Sequence, residues 1–219
     1  MKVGFFISGA DSCLFFRKGE NPIWLFLHLD DIGIFGENIS QFKNEIEEFN
    51  TKLLENADLM LEIKITHNND FILLSQSHYF DSLLENYGIS ECQSVATPMI
   101  PHLHLEPATP SKKSESSKLG IYYQSAVGSI SYLSTATRPD LSYEVGVLSQ
   151  FLKNPGIQQW QAFIHVLRYL KGSPNMQLIY NKKIEKDIVA YSDADWGSFR
   201  STRRSVTAYV ITFNNSVII

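Results

Sequence analysis

Cysteine is scarce in this chain of 219 residues, and long apolar runs are missing from it. The two cysteines, Cys13 and Cys92, lie far apart and in no metal-ligand spacing, which excludes a disulfide scaffold and fits a reducing compartment. No apolar run approaches the roughly 20 residues of a membrane-spanning helix. The apolar patch at the N-terminus is too short for a signal peptide. We therefore expect an intracellular protein, cytoplasmic or nuclear, that does not contact a membrane.

Charge is unevenly distributed, although the net charge is only −4. Residues 1–110 carry 6 basic and 16 acidic residues, a net charge of −10, whereas residues 111–219 carry 13 and 7, a net charge of +6. A basic half is suited to a polyanionic partner, and ordinary drift in composition explains the asymmetry equally well. With 44% hydrophobic and 12% aromatic residues, the chain can bury a core and is not disordered by composition.

Two adjacent carboxylates, Asp30 and Asp31, separate two short apolar runs at 23–28 and 32–35. The runs predict a β-hairpin that carries both carboxylates at the tight turn. Adjacent carboxylates repel each other unless a cation lies between them, and paired magnesium ions held in this way drive phosphoryl or nucleotidyl transfer. On spacing alone a solvated Asp-Asp turn is the commoner interpretation, because aspartate is a frequent turn residue.

Apolar periodicity predicts alternating strands and helices in the first half of the chain. Ser75 is placed to cap the second helix and Gly88 to end it. The predicted elements are a helix at roughly 38–55, a strand at 59–65, a turn at 68–70, a strand at 71–74 and a helix that buries Phe80, Leu83, Leu84 and Tyr87.

A proline-rich and serine-rich stretch at 93–118 predicts a linker, and so a domain boundary. Three helices are expected after it, the second of them capped by Asp140, and then strands. The chain stops on an apolar strand, from which we expect a truncated domain. The predicted helices are 121–136, 140–153 and 157–171, and the predicted strands are 176–180, 187–192, 205–213 and 217–219.

A second pair of carboxylates, Asp193 and Asp195, follows what is predicted to be a buried strand. An aspartate at the end of such a strand, joined by other acids, is how a two-metal nuclease holds its ions. The pattern alone favours a simple turn at the strand end.

Short motifs along nearly the whole chain occur in one characteristic order. They resemble the polyprotein of Ty1/copia-type retrotransposons, in which residues 27–32 correspond to the Tyr-x-Asp-Asp signature of the reverse transcriptase. The matching segments are 27–32 (LHLDDI), 73–79 (LLSQSHY), 97–99 (TPM), 123–133 (YQSAVGSISYL), 137–141 (TRPDL), 166–172 (VLRYLKG), 191–196 (YSDADW) and 203–205 (RRS).

The resemblance implies an α+β fold made of a partial reverse-transcriptase palm with a β-hairpin, a helical connection region and a truncated ribonuclease H-like β-sheet. It divides the chain into a palm and thumb part at 1–92, a linker at 93–118, a helical connection at 119–175 and the start of a ribonuclease H-like domain at 176–219. The implied activity is that of an RNA-directed DNA polymerase, a nucleotidyltransferase, combined with ribonuclease H.

The resemblance also implies site residues and partners. Asp30 is a direct ligand of magnesium, or of manganese in its place, and Asp31 supports it; Asp193 is the first metal ligand of the ribonuclease H site, with Asp195 beside it. The partners are an RNA or DNA template-primer, an RNA–DNA hybrid and the rest of the element's polyprotein. The residues expected to contact nucleic-acid phosphates are Arg200, Arg203 and Arg204, and a solvated loop explains these three arginines equally well.

Three departures from the family pattern concern the metal sites. His28 replaces tyrosine, Glu62 replaces a glycine, and the remaining carboxylates of both sites are expected before Met1 and beyond Ile219. Magnesium held by too few carboxylates binds weakly and loses its catalytic geometry. We therefore expect neither activity from this chain alone. The alternative is a non-catalytic remnant that binds nucleic acid or protein through its basic C-terminal half.

Overall fold

The structure is a computed structural model with antiparallel sheets and helices, and its contacts divide the chain into two compact units, Met1–Met60 and Leu61–Ile219. The mixed α and β class is as predicted. The residues described are 4–29, 31–36, 39, 42, 57–101, 103–108, 113–183, 187–197 and 203–218, with the backbone alone for 113–121.

The first unit contains an antiparallel sheet whose four strands follow chain order. One face of this sheet packs into a small core formed by Phe5, Phe15, Ile23 and Phe42. The predicted hairpin at 23–35 is confirmed, whereas the helix predicted at 38–55 lies outside the described residues except for positions 39 and 42. The strands are β1 (Phe6–Ile7), β2 (Leu14–Arg17), β3 (Ile23–His28) and β4 (Asp31–Gly36).

The strand predicted at 59–65 is interrupted by a left-handed turn. Strand β5 (Leu59–Met60) ends before it, and strand β6 (Ile63–His67) begins after it. Leu61 and Glu62 have φ values of 52° and 58°, a region that side chains disfavour and glycine enters freely. Glu62 is exposed, so glycine at this position would relieve the positive φ rather than a crowded contact.

Replacing Glu62 with glycine is expected to raise the free energy of unfolding by about 0.5–1 kcal/mol, because the left-handed strain exceeds the entropy that glycine adds to the unfolded chain. Urea denaturation followed by circular dichroism measures this change. The matched control is Thr66→Gly in β6, where φ is ordinary and glycine is expected to lower stability. Equal losses in both variants would contradict the strain at Glu62.

The sheet of the second unit joins residues that are distant in sequence. Strand β7 (Phe71–Ser75) lies between β6 and strand β8 (Leu178–Asn181), and it pairs antiparallel with both. The predicted turn before β7 is confirmed, because the Asn68 side chain accepts the N–H of Asp70 at 3.1 Å and of Phe71 at 2.6 Å. In the sequence, β8 comes after the helices. The helical region is therefore an insertion between two strands that pair with each other.

Helices supply the main core of the second unit; of the apolar positions on the helix predicted at 157–171, Phe163, Leu167 and Leu170 are buried in it, and Trp160 and Ile164 are partly buried against it. None of the helices that the structure describes is long and apolar enough to cross a membrane. The helices are α1 (Ser77–Asn86), α2 (Lys113–Ala136), α3 (Ser142–Ser149) and α4 (Ile157–Gly172), with a 3₁₀ turn at Pro139–Leu141.

Two predicted helix caps are wrong. Gln76, not Ser75, is the N-cap of α1, and its side chain makes no capping hydrogen bond; the Ser75 hydroxyl nevertheless accepts the N–H of Ser77, the first residue of α1, at 3.3 Å. Leu141, not Asp140, is the N-cap of α3. The Asp140 carboxylate is instead bound by the guanidinium of Arg138, a stronger charge-assisted partner than a backbone amide.

The N-terminal part of the stretch predicted as a linker is held against α4 by hydrogen bonds. Arg168 donates to the carbonyl of Gln93 at 2.8 Å, and a ring nitrogen of His165 lies 3.0 Å from the carbonyl of Thr97. Helix α2 already begins at Lys113, earlier than predicted. The functional domain limits stay a prediction, and the boundary between the compact units lies at Met60.

The last strands form an antiparallel sheet in the order β11–β10–β9. The prediction that the strand before Asp193 is buried is wrong, because every residue of β9 is exposed. Among the described strands, β9 pairs with β10 alone, and its residues lie outside both core clusters. These strands are β9 (Ile188–Ala194), β10 (Thr207–Phe213) and β11 (Ser216–Val217).

Candidate catalytic carboxylates

The β3–β4 hairpin places Asp31 at the start of a strand rather than in the turn itself. Asp31 is exposed and lies directly opposite His28, the last residue of β3. The two-residue loop between them consists of Leu29 and Asp30, and Asp30 lies outside the described residues. Only one of the two predicted carboxylates therefore has a described position.

Leu29 adopts an unusual conformation beside these carboxylates. Its φ is 49° and its side chain is 94% exposed, so an apolar residue occupies a left-handed position in water. Tight two-residue hairpins require positive φ values, which glycine or asparagine normally provide. A strained residue of this kind is typical of functional loops, where the surrounding structure must enforce it.

Strand alternation places His28 on the same face of the sheet as Phe26. The two rings lie parallel, with an interplanar angle of 2° and centroids 6.4 Å apart. His28 and Asp31 are directly opposed residues of an antiparallel pair, so their side chains project from the same face. His28, which replaces the tyrosine of the expected pattern, thus still presents a flat ring beside the Asp31 carboxylate.

The second pair of carboxylates lies at the end of the β9–β10 hairpin where the chain leaves β9 and returns to β10. The Asp193 Oδ1 accepts the N–H of Ala194 at 2.9 Å, and the Asp195 Oδ1 accepts the N–H of Val206 at 2.9 Å. Each carboxylate therefore uses one oxygen to stabilise the local backbone, as in the simple strand-end turn that the pattern alone favoured.

Two of the three predicted phosphate-binding arginines are brought to this same end. The N–H of Gly197 donates to the Ser205 hydroxyl at 3.1 Å, and a Cβ built on Gly197 would lie 3.4 Å from the carbonyl oxygen of Arg203. Arg203 and Arg204 are both exposed, and Arg200 lies outside the described residues. The structure thus brings two carboxylates and two arginines together at one end of one hairpin.

Neither end assembles a metal-binding set from the part of the chain that the structure describes. No group of three or more histidine, cysteine, aspartate or glutamate side chains there is arranged to hold a metal ion. Magnesium requires several oxygen ligands in nearly octahedral geometry. The described side chains alone therefore do not fit the two-metal site that the resemblance implies.

Sequence reasoning missed a polar cluster around Arg138, which is only 4% exposed. Its guanidinium donates to both oxygens of Asp140, at 3.0 and 2.9 Å, and to the carbonyl and hydroxyl of Ser173. The Tyr169 hydroxyl donates to the same carboxylate at 2.9 Å, and burial first, then Asp140, raises the pKa of Tyr169. The available signal was the TRPDL motif, which sets an arginine two residues before an aspartate.

Two buried polar atoms have no hydrogen-bond partner within the described residues: Gln76 Nε2 and Glu144 Oε2. Gln76 is 3% exposed, and its Oε1 accepts the Thr137 hydroxyl at 2.9 Å. Glu144 is 5% exposed, and burial raises the pKa of its carboxyl, with Asp140 adding to the effect. Glu144 is therefore a costly residue in the core between helices.

Several basic residues of the positively charged half donate hydrogen bonds to backbone carbonyls of the second unit. Lys171 donates to the carbonyls of Ser90 and Cys92, and Lys182 donates to that of Asn68. Arg138 and Arg168 are engaged in the same way. These four of the 13 basic residues at 111–219 thus help to hold the second unit together.

Comparison with known proteins gives one consistent family. The model of the reverse transcriptase (RNA-dependent DNA polymerase) family matches residues 1–101. The Pol polyproteins of transposons TNT 1-94 of Nicotiana tabacum and RE1 of Arabidopsis thaliana are 34% and 32% identical over 95% and 96% of this chain. The chain covers 16% and 14% of those polyproteins, so it spans about a sixth to a seventh of their length.

A shorter relative matches over most of its own length. An uncharacterized mitochondrial protein of Arabidopsis thaliana is 30% identical over 90% of this chain and 81% of that protein. No solved structure matches the chain.

Proposed function

The chain belongs to the reverse transcriptase family of copia-type retrotransposon Pol polyproteins, and we propose that it is a fragment of the polymerase and ribonuclease H region. The fragment comprises the rear of a palm at 1–92, a linker at 93–118, a helical connection at 119–175 and the start of a ribonuclease H-like domain at 176–219. The observation that carries this proposal is a similarity that runs along about 95% of the chain in one order.

Within that fragment we assign Asp30 and Asp31 to the polymerase site and Asp193 and Asp195 to the ribonuclease H site. The metal is magnesium, with manganese as its substitute, and the substrates are a template-primer and an RNA–DNA hybrid. The β3–β4 hairpin supports the first assignment, because Asp31 is exposed at its end beside the strained Leu29. The exposed end of the β9–β10 hairpin supports the second.

This chain by itself catalyses neither reaction. The support for this statement is that the chain covers only 16% and 14% of the related Pol polyproteins, and that magnesium held by too few carboxylates binds weakly and without catalytic geometry. Its role as a fragment therefore depends on the remaining parts of a polyprotein.

A primer-extension assay tests this proposal. The purified 219-residue chain, given a labelled primer on an RNA template with magnesium or manganese, is expected to add no nucleotides above the background of Asp30→Ala. A full-length reverse transcriptase in the same reaction shows that the template-primer is competent. Extension by the wild-type chain that disappears in Asp30→Ala would overturn the proposal, as would cleavage of a hybrid that disappears in Asp193→Ala.

The second candidate function is nucleic-acid binding without catalysis. It is favoured by the two exposed arginines, Arg203 and Arg204, beside the end of β9 and by the net charge of +6 over residues 111–219. Phosphate contacts of this kind carry no sequence information and weaken with salt.

For this second function, fluorescence anisotropy with a labelled RNA–DNA hybrid is measured over a series of salt concentrations. The double variant Arg203→Ala, Arg204→Ala is expected to reduce the slope of log K against log salt by about 2, since each phosphate contact contributes roughly one unit. The matched control, Lys153→Ala with Lys183→Ala, removes two exposed charges elsewhere and is expected to change the slope little. Equal losses in both double variants would contradict a localised contact.

A further inference from the structure

One tyrosine of helix α2 reaches the left-handed turn at Leu61 and Glu62. The Tyr132 hydroxyl donates a hydrogen bond to the carbonyl of Leu61, a residue 71 positions away in the sequence. The Tyr132 ring is itself fixed by Tyr79 of α1, which meets it edge-on with the ring centroids 5.3 Å apart and the planes at 90°. Tyr132 therefore connects the turn to the helices of the second unit.

The turn needs such a partner because its own residues do not favour it. Leu61 and Glu62 both have positive φ, and neither is the glycine or asparagine that tolerates this conformation. The Glu62 side chain is exposed, so packing does little to hold it. Consecutive strained residues persist only where the surrounding structure enforces them, and they are typical of segments that switch between two conformations.

The Tyr132 hydroxyl is a hydrogen-bond donor at neutral pH. Burial first, and then the nearby Glu62 carboxylate, raises the pKa of Tyr132 above the ordinary value for tyrosine. The pKa of Tyr79 is raised as well, by burial first and then by Tyr132. Both phenols therefore keep their protons, and the charge of Glu62 favours the form of Tyr132 that donates to the turn.

We infer that Tyr132 is a latch whose hydroxyl holds the left-handed turn directly after Met60, the last residue of the first compact unit. When this hydrogen bond opens, Leu61 and Glu62 return to ordinary φ values and the turn is released. The chain at this boundary thus has a held and a released conformation, and one side chain of α2 selects between them. The inference goes beyond the proposed function and does not depend on catalysis.

Hydrogen–deuterium exchange of the full 219-residue chain tests the latch. Tyr132→Phe keeps the ring and removes the donor, and it is expected to speed exchange of the amides at 61–64 about fivefold. The matched control, Tyr122→Phe, removes an exposed hydroxyl from the same helix and is expected to leave this exchange unchanged. Exchange at 61–64 that is unchanged in Tyr132→Phe, or an equal acceleration in α4, would overturn the inference.

A second variant shows whether the hydroxyl acts on the strained conformation. Glycine adopts positive φ freely, so Tyr132→Phe in the background of Glu62→Gly is expected to speed exchange at 61–64 by only about twofold. The same acceleration in both backgrounds contradicts the latch, because the hydroxyl then stabilises something other than the left-handed turn.

Cleavage by a glutamate-specific protease detects the released form independently. A protease needs an extended segment, so cleavage after Glu62 is expected to be about fivefold faster in Tyr132→Phe than in the wild type. Cleavage after Glu20, which is also exposed, is the internal control and is expected to be equal in the two chains. Equal rates after Glu62 in both chains would likewise overturn the inference.

Discussion

Replacing Arg138 with methionine is expected to lower the free energy of unfolding by about 3–5 kcal/mol, the range for removing one partner of a buried ion pair. The guanidinium binds both oxygens of Asp140 and the backbone and hydroxyl of Ser173, and its carbon lies 5.5 Å from the centre of the Tyr169 ring. Its loss leaves a partly buried carboxylate without its cation. It also frees the chain between α4 and β8.

Urea denaturation followed at the helical circular dichroism signal measures this loss, because the helices that the structure describes lie in the second unit. The matched control is Arg168→Met, which removes a half-buried arginine bound to the carbonyl of Gln93, and it is expected to cost about 1 kcal/mol. Equal costs in the two variants would show that the Arg138 pair has no special role.

A double-mutant cycle separates the pair from its surroundings. Arg138→Met combined with Asp140→Leu is expected to cost less than the sum of the single variants, with a coupling of about 1–3 kcal/mol, because each single variant strands the other group. If the losses of the two single variants simply add, the stabilisation comes from the packing of each side chain and not from the ion pair.

Replacing Glu144 with leucine is expected to raise the free energy of unfolding by about 1–3 kcal/mol at pH 8, the cost of a buried polar atom that has no partner. Glu144 is almost fully buried, and its Oε2 has no partner among the described residues. Leucine has a similar volume, favours helix and needs no hydrogen bond.

The gain from Glu144→Leu depends on pH in a definite direction. Burial raises the pKa of Glu144 in the folded protein above its value in the unfolded chain, which is about 4.3 for a free glutamate. Stability is therefore fully present below that value and is lost as pH rises through the folded pKa. The advantage of the leucine variant should grow over this window and then level off.

Unfolding curves of Glu144→Leu at pH 4, 6 and 8 measure this trend. The control is Glu85→Leu on α1, where the glutamate is exposed and the change is expected to stay within about 0.5 kcal/mol. A gain that is the same at every pH would show that packing, not ionisation, is responsible.

Local patterns were sufficient for most of the secondary structure. The β3–β4 hairpin, the left-handed stop at Gly88 and the buried stripe of α4 follow from apolar periodicity and from turn residues, which act within a few positions of the chain. The caps failed because Asp140 has a stronger partner, and the interrupted strand at Leu61 and Glu62 has no glycine to signal its turn.

The same distinction between local and long-range features applies to the candidate site. Its carboxylates could be located from the sequence because a hairpin end and a strand end are local features, and the family resemblance then supplied their roles. Which of their oxygens are already used by backbone groups could not be predicted, since Asp195 and Val206 meet only when the β9–β10 hairpin closes. The exposure of β9 likewise depends on what packs against it.

By itself, then, the sequence determined the family, the order of the elements and the positions of the acidic residues. Only the tertiary structure decided that β8 pairs with β7 across more than a hundred residues, that Arg138 binds Asp140 and that Glu144 is buried without a full set of partners. The physical reason is range: periodicity reports which side of an element is apolar, whereas the partner of a polar group depends on which distant segments the folded chain brings together.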